Sequence, residues 1–253
     1  MSDEFLRNNS VGRLYTLLNE VKRMSVPANT KMREVWVRVF GIEPNDAEEL
    51  FLLYVEILRL LKNAREDMER LPDIEPSLYL QPFQQLERAF TVSSFEHPVE
   101  HFKRFLDDAT MTGLKFGAYA LSQASQETIV EQEVLNNLQS EIESLIQDIL
   151  QSEEIIYELR SFLIDRLEDI RRAIMYYRLN GSRGLRKALE TTIGASFLLQ
   201  FSQVPNADKD SQDRWENMKQ RFGEVVAKIV EITLSVTVKS ALEGTILPML
   251  PGK

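Results

Sequence analysis

The chain has 253 residues, contains no cysteine and carries a formal net charge of −9 at pH 7. This length is sufficient to bury a hydrophobic core without disulfides, and the lack of cysteine excludes a thiol nucleophile, a zinc ribbon and an iron–sulfur site. An acidic chain repels the phosphate backbone of nucleic acids, so nucleic-acid binding would require a local basic patch.

The first half of the chain predicts helices separated by proline and glycine. Ser10 is a suitable N-cap for a helix over residues 10–24, and Asn29 for a second helix that ends at Gly41.

The first seven residues carry neither a secretory signal nor an arginine-rich transit peptide. With no cysteine and no apolar run long enough to span a bilayer, we expect a soluble, cytoplasmic protein.

Asp46 opens a predicted helix to about Leu71 whose centre, Leu50–Leu61, is apolar on nearly every side, which is typical of a helix buried among others. Three prolines then make Pro72–Pro82 an irregular connection, and we expect a domain boundary there. The predicted organisation is an N-terminal helical part, residues 1–71, a connecting segment with a short helix, 72–97, and a long-helix bundle, 98–253. The alternative is one continuous domain.

The second half predicts long helices, because neither glycine nor proline occurs from Ala118 to Asn180. The helical pattern covers residues 98–124, 128–150 and 153–179. Apolar residues are spaced by alternating steps of three and four, as in a coiled-coil seam: Leu135, Leu138, Ile142, Leu145 and Ile149. The seam continues beyond residue 152, so 128–179 is either one helix or a hairpin. We favour a hairpin that breaks near Gln151–Ser152, because Ser152 followed by two glutamates is a typical helix start.

Charge is segregated along these helices. Nine acidic residues and no basic ones lie between Lys115 and Arg160, whereas the segment Arg160–Lys187 has eight basic and three acidic residues. An antiparallel hairpin would place the acidic helix against the arginine-rich one. We therefore predict attraction between these two helices, with the apolar seam supplying most of the stability.

The C-terminal part predicts two more helices. Gly181 fits the position after a helix end, and Ser182 can cap a helix to about residue 199. The last helix, 213–242, carries a second seam: Trp215, Met218, Phe222, Val225, Ile229, Ile232 and Val236. Residues 225–238 also alternate as in a strand, but no second strand is available for pairing, so helix is favoured. The predicted fold is an all-α bundle of eight or nine helices with long antiparallel members.

One motif matches a known metal site. The segment from His97 to His101 has the order H-x-x-E-H, and Asp108 is a conceivable third ligand on the same helical face. Pro98 places His97 at a helix end, and an all-helical fold lacks the mixed sheet of such peptidases. We therefore reject His97, His101 and Asp108 as a zinc site and expect no metal, no cofactor and no catalytic residues.

A second candidate is a basic turn made of Arg178, Arg183, Arg186 and Lys187 around a predicted helix start. Free backbone amides and guanidinium groups can converge there on a phosphate or a carboxylate. The alternative is that these side chains are solvated or pair with the acidic helix, and we favour it.

These observations favour a non-enzymatic helical interaction or regulatory protein. We expect it to bind a partner protein or a second copy of itself through one of the two apolar seams. The alternatives are an anion- or nucleic-acid-binding module at residues 178–187 and, more remotely, a zinc hydrolase at residues 97–101.

Overall fold

The computed structural model of the protein describes residues 3–71, 76–152, 155–201 and 209–233, and all regular elements in these ranges are helical. The predicted all-α class is confirmed. The alternative of a strand over 225–238 is excluded as far as residue 233, and the rest of that segment lies outside the described ranges. After a short 3₁₀ helix (Asp3–Leu6) the elements are α1 (Ser10–Arg23), α2 (Met32–Phe40), α3 (Ala47–Glu69), α4 (Pro76–Val92), α5 (Val99–Lys103), α6 (Asp108–Ala124), α7 (Gln132–Gln151), α8 (Tyr157–Met175), α9 (Tyr177–Phe201) and α10 (Lys209–Thr233).

The chain forms two compact units. Unit 1 comprises Met1–Glu127 and Arg178–Gly181, and unit 2 comprises Thr128–Tyr177 and Ser182–Lys253. The division therefore lies at residue 127 and not in the predicted connecting segment 72–97. None of the helices in the described ranges is both long and apolar enough to cross a lipid bilayer.

The segment expected to be irregular, Pro72–Pro82, is largely helical. α4 begins at Pro76 and continues through Pro82, and it packs against α3 and α6 within unit 1. Pro82 removes one helical hydrogen bond, but its ring lies against Gly113 of α6, where a side chain would come within 2.7 Å of it. Packing against a neighbouring helix thus overrides the local signal of the prolines. Residues 72–75 lie outside the described ranges.

Some of the predicted helix-capping residues of unit 1 are correct, and one is shifted by one residue. Asp46 caps α3, and Gly41 ends α2 in the left-handed conformation, both as predicted. α1 is capped by Asn9 and not by Ser10, because the Asn9 side-chain oxygen accepts a hydrogen bond from the N–H of Gly12 at 2.8 Å. Ser10 lies buried in the first turn of α1.

The start of α2 is set by a tertiary contact. Asn29 does not cap this helix, because the free N–H groups of Met32 and Arg33 donate instead to the carbonyl oxygens of His97 and Phe95, each at 3.0 Å. Carbonyls from a distant segment thus satisfy the first turn, as a side-chain cap would.

α3 is buried on one side only, so the prediction of a helix surrounded on nearly every side is wrong. Leu53 and Ile57 are fully buried in unit 1. On another face Phe51, Val55 and Leu58 are 60%, 43% and 37% exposed. An apolar centre therefore does not by itself indicate complete burial.

The predicted helix 98–124 is two helices in the structure, so the described ranges hold ten α-helices, with α9 counted as one although it is kinked at Gly181. α5 ends at Lys103, and α6 starts anew after Asp107, whose carboxylate accepts a hydrogen bond from the N–H of Thr110 at 2.7 Å. This cap is the physical reason for the break, because it satisfies an amide at the start of α6.

A buried ion pair attaches residues 178–181 to the rest of unit 1. The Arg13 guanidinium donates to both carboxylate oxygens of Glu127, at 3.0 and 2.9 Å, and its Nε donates to the carbonyl of Leu179 at 3.0 Å. The Arg13 side chain is only 7% exposed. Three separate segments of the chain therefore meet at one guanidinium.

In unit 2 the predicted hairpin is confirmed. α7 ends at Gln151 and α8 begins at Tyr157, and the two helices pack against each other. Ser152 terminates α7 instead of capping α8, and α8 starts after Ile156 without a side-chain cap. The predicted helix 153–179 is also shorter than expected, because α8 ends at Met175.

Both apolar seams are buried within unit 2. The seam residues of α7 are at most 2% exposed, and those of α10 from Trp215 to Ile229 are at most 8% exposed. α7 packs against both α8 and α10, so the seams form one core. These seam residues are therefore not exposed to another chain, whereas self-association itself stays a prediction. Val236 lies outside the described ranges.

The acidic helix pairs with α10 and not with α8, so the predicted charge match within the hairpin is wrong. Glu141 binds Lys228 at 2.5 Å, and Asp148 pairs with Arg221. Three of the four arginines of α8 instead bind acids one turn away on their own helix: Arg166 and Arg172 bind Asp169, and Arg171 binds Glu168. Acids at i±3 are already within reach of these side chains, so they satisfy the arginines locally. The fourth, Arg160, donates to the backbone carbonyls of Ser152 and Ile155.

We expect Gly181→Ala to destabilise unit 1 by about 3 kcal/mol or more, because two effects add. Gly181 has φ 57° and ψ −155°, a conformation that side chains strongly disfavour, and a Cβ there would lie 2.5 Å from Arg13 Nη1 and from Glu127 Oε2. Gly41→Ala is the matched control. Gly41 also has a positive φ of 67°, but a Cβ there would have no neighbour within 4 Å, so about 1 kcal/mol of backbone strain is expected.

The measurement is urea denaturation of both variants in a Trp215→Phe background. The chain has two tryptophans, so the fluorescence of Trp36 then reports on unit 1 alone. Equal losses of stability at the two glycines would contradict the role assigned to the ion pair.

A double-mutant cycle tests the pairing between α7 and α10. We expect Glu141→Lys and Lys228→Glu to show a coupling of about 0.5–1 kcal/mol at low salt that decreases as salt is added, because both side chains are about half exposed. The control cycle of Glu141→Lys with Arg166→Glu should show almost no coupling. A larger coupling in the control cycle would restore the predicted pairing between α7 and α8.

Candidate functional site

A groove of about 790 Å³ runs between α1 and α6 in unit 1. At one end Lys22 of α1 binds Asp108 at the start of α6, with Nζ and Oδ1 2.6 Å apart. At the other end Phe5 packs edge-on against Tyr119, at 6.0 Å between ring centroids. The two helices therefore run antiparallel along the groove.

Exposed aromatic side chains line much of the groove. Phe116 is 63% exposed and Tyr119 is 45% exposed, and both lie on the outer face of α6. Tyr15 lines the facing side from α1, and Met111 contributes to the apolar surface. Large apolar side chains that cluster in an open groove favour a binding surface over a solvated one.

The groove also carries positive charge. Lys22, Arg23 and Lys115 line it, and among the lining residues Asp108 is the only carboxylate. Asp108 is paired with Lys22, whereas Arg23 and Lys115 form no ion pair within the described part of the chain. The local charge is thus opposite to the net charge of the whole protein.

One glycine allows the close packing that shapes the groove. A side chain at Gly12 would come within 2.6 Å of the backbone of Leu6, so glycine lets the 3₁₀ helix approach α1 and brings Phe5 to the groove. A side chain at Gly117 would make only ordinary contacts with Val11 and Met68, at about 3.5 Å, so the packing there does not require glycine.

Asn9 links the same elements by hydrogen bonds. Its side-chain amide donates to the carbonyl of Phe5 at 2.8 Å and to that of Ala118 at 3.0 Å. One buried side chain thus joins the 3₁₀ helix, the start of α1 and the middle of α6, and it holds the walls of the groove in place.

Sequence reasoning missed this groove. The residues that build it come from positions 5–23 and 108–119, and no motif joins the two segments. A weak signal was present: Lys115, Phe116 and Tyr119 lie on the face of α6 opposite to its buried residues, where the core does not need aromatic side chains.

The histidine motif does not assemble a metal site in the described ranges. Within them, three potential ligands are nowhere grouped closely enough to hold an ion. His97 Nδ1 accepts a hydrogen bond from the N–H of Ser94 at 2.9 Å, and its ring lies 5.9 Å from that of His101. Asp108, the conceivable third ligand, is bound to Lys22.

The predicted basic turn is divided between the two units. Arg178 belongs to unit 1, where it binds Glu20 at 2.6 Å, donates to the carbonyl of Val39 at 2.9 Å and lies 4.5 Å from the ring centre of Phe40. These contacts engage the guanidinium within unit 1, apart from the other three cations of the basic turn.

The other three residues of the basic turn lie on α9 in unit 2. Arg186 and Lys187 are exposed, and Arg183 is half-buried. An anion site formed by these three residues stays a prediction.

The cap of α6 predicts a pH dependence for the helix that forms one wall of the groove. The hydrogen bond from the Thr110 N–H holds the pKa of Asp107 below its ordinary value of 3.8. A carboxylate whose pKa is lowered by folding stabilises the folded state at pH values above its ordinary pKa. This stabilisation is lost as the pH falls through the lowered pKa. At neutral pH we expect Asp107→Ala to cost about 1 kcal/mol, and this cost should become smaller as the pH falls through the lowered pKa.

Asp107→Asn is the matched control, because asparagine is an equally good cap that does not titrate. It should keep the stability at neutral pH and show a smaller loss in acid than the wild type. Denaturation with urea across a pH series measures all three proteins, and a pH-independent cost of Asp107→Ala would contradict the role of the charged cap.

Three comparisons with known proteins were made for the whole chain. A scan of protein-family models, a search of curated proteins and a search of solved structures found no match to it. The functional conclusions for this chain therefore come from its own geometry and charge.

Proposed function

We propose that this is a non-enzymatic interaction protein that binds an acidic amphipathic helix of a partner protein in the groove between α1 and α6. The observation that carries the proposal is the exposure of Phe116 and Tyr119 beside Arg23 and Lys115, two cations without an ion-pair partner in the described ranges. The lack of cysteine favours a reducing compartment such as the cytoplasm.

The shape of the groove favours a helical ligand. Its lining on α6 extends from Asp108 to Tyr119, which is about 17 Å at 1.5 Å per residue, or three helical turns. Three turns present apolar side chains at i, i+4 and i+7 on one face, the usual pattern of a helix bound in a groove. The two antiparallel walls would hold such a helix along its length.

The charges of the groove favour acidic side chains on that ligand. The protein as a whole has a net charge of −9 and repels acidic partners, so only the local cations can attract them. We expect the apolar residues of the ligand to contact Phe116 and Tyr119 and its acidic residues to pair with Arg23 and Lys115. Rim charges of this kind contribute more to specificity and association rate than to affinity.

The chemistry of the lining residues supports binding over catalysis. The one lining carboxylate, Asp108, is fully exposed and already paired with Lys22. The other polar lining residues are three cations, an asparagine, a threonine and two tyrosines in an open groove. Such a set offers contacts to a ligand, whereas general acid–base catalysis requires titrating groups positioned in a shielded site.

Site-specific photo-crosslinking in the source cell tests the proposal. A photoreactive phenylalanine analogue at Phe116 should form a crosslink to one partner protein, which mass spectrometry would identify together with the attached segment. The same analogue at Val134, an exposed apolar residue of unit 2, is the matched control. The yield of the crosslink should decrease when Lys115→Glu is added.

A synthetic peptide of the crosslinked segment then allows the affinity to be measured by calorimetry. We expect Phe116→Ala to weaken binding by about tenfold or more, because a central aromatic contact is lost, and Val134→Ala to have no effect. Lys115→Glu should weaken binding most at low salt.

Two outcomes would contradict the proposal. One is a crosslink at Phe116 to a lipid or another small amphiphile, which would make the groove a small-molecule site. The other is a peptide whose affinity does not change with Phe116→Ala, which would place the binding surface elsewhere.

A further inference from the structure

An exposed apolar stripe on α3 is not used by the proposed groove. Phe51, Val55 and Leu58 recur at steps of four and three, so they share one face of the helix, and they are 60%, 43% and 37% exposed. Phe51 is held edge-on against Phe95 at 5.4 Å between ring centroids. A stripe of this spacing matches the seam that one helix presents to another.

The ends of the stripe carry opposite charges. Glu48 lies seven residues before Val55 and Lys62 lies seven residues after it, and both are exposed on the same face. Glu48 has no ion pair in the described ranges, and Lys62 makes only a long contact of 3.8 Å to Glu66. Glu48 and Lys62 are thus equidistant from Val55 and opposite in charge, whereas Arg59 on the same face is already paired with Glu56.

We infer that a second copy of this chain covers the stripe, with the two α3 helices antiparallel across a two-fold axis at Val55. In this arrangement Glu48 of each copy lies opposite Lys62 of the other, and Phe51 of each lies near Leu58 of the other. A two-fold interface pairs the same surface on both copies, and this stripe complements itself in that way.

The charges select the antiparallel arrangement. Two parallel α3 helices would place Glu48 beside Glu48 and Lys62 beside Lys62, so both ends would repel. The described seam residues of unit 2 from Leu135 to Ile149 and from Trp215 to Ile229 are buried within one chain, so they do not supply this contact. This inference concerns a different face of unit 1 and does not depend on the groove.

The size of the stripe predicts a weak dimer. The helix between Glu48 and Lys62 is about 21 Å long, and three apolar side chains per copy bury less area than a stable interface requires. We therefore expect a dissociation constant of roughly tens of micromolar.

Sedimentation equilibrium of the full chain over a wide concentration range tests the dimer. Val55→Glu places two carboxylates at the two-fold axis and should raise the dissociation constant by more than about tenfold. Phe116→Glu is the matched control, because it adds the same charge at an exposed apolar site in the groove. It should leave the dimer unchanged, which separates a failure of this inference from a failure of the groove.

Charge exchange tests the pairing. Glu48→Lys and Lys62→Glu should each weaken the dimer by about threefold or more, since two rim ion pairs are reversed in each case. Combined in one chain they should restore it. Circular dichroism of each variant shows whether the helices remain intact.

Single cysteines test the orientation, because the natural chain has none. Val55→Cys should form a disulfide-linked dimer on mild oxidation. Glu48→Cys alone should not, because its two copies would be about 21 Å apart, well beyond disulfide reach. An equimolar mixture of Glu48→Cys and Lys62→Cys should crosslink.

A monomer at all concentrations, or a dimer unaffected by Val55→Glu, would overturn the inference. Rapid crosslinking of Glu48→Cys with itself would overturn the antiparallel arrangement.

Discussion

The ion pair between Arg13 and Glu127 is the interaction on which the fold of unit 1 depends. It brings together the start of α1, the end of the segment that follows α6, and residues 178–181, which return from a distant part of the sequence. A guanidinium that is 7% exposed must keep all its partners, because a buried charge without one costs about 3–5 kcal/mol. Gly181 has no side chain because the pair occupies that space.

The position of α1 determines both candidate surfaces of unit 1. α1 packs against α3 on one side and against α6 on another. Tyr15 and Lys22 lie outside its buried face and line the groove. The other apolar face of α3 packs against α1 and α4. The stripe at Phe51, Val55 and Leu58 therefore remains at the surface. One central helix thus lies between the groove and the exposed stripe of α3.

Local signals in the sequence were sufficient wherever the deciding interaction is local. The cap at Asp46, the helix end at Gly41 and the break near Gln151–Ser152 involve residues within one or two turns, and all three were predicted correctly. The seam of α7 was also correct, because helical periodicity specifies which residues share a face. The basic turn illustrates the limit: its four cations lie within ten residues of sequence, yet Arg178 contacts Glu20 and Phe40, far away along the chain.

The sequence by itself determined the all-α class, most helix positions and the apolar faces, because propensity, capping and periodicity act over a few residues. Only the tertiary structure decided which faces meet. In the tertiary structure the acids of α7 pair with Arg221 and Lys228 of α10, and both seams are buried in one core. α4 continues through Pro82, which packs against Gly113, and the groove forms between α1 and α6. The physical reason is that an exposed charge or apolar side chain finds its partner through packing geometry, and spacing along the chain does not encode the distance between helices.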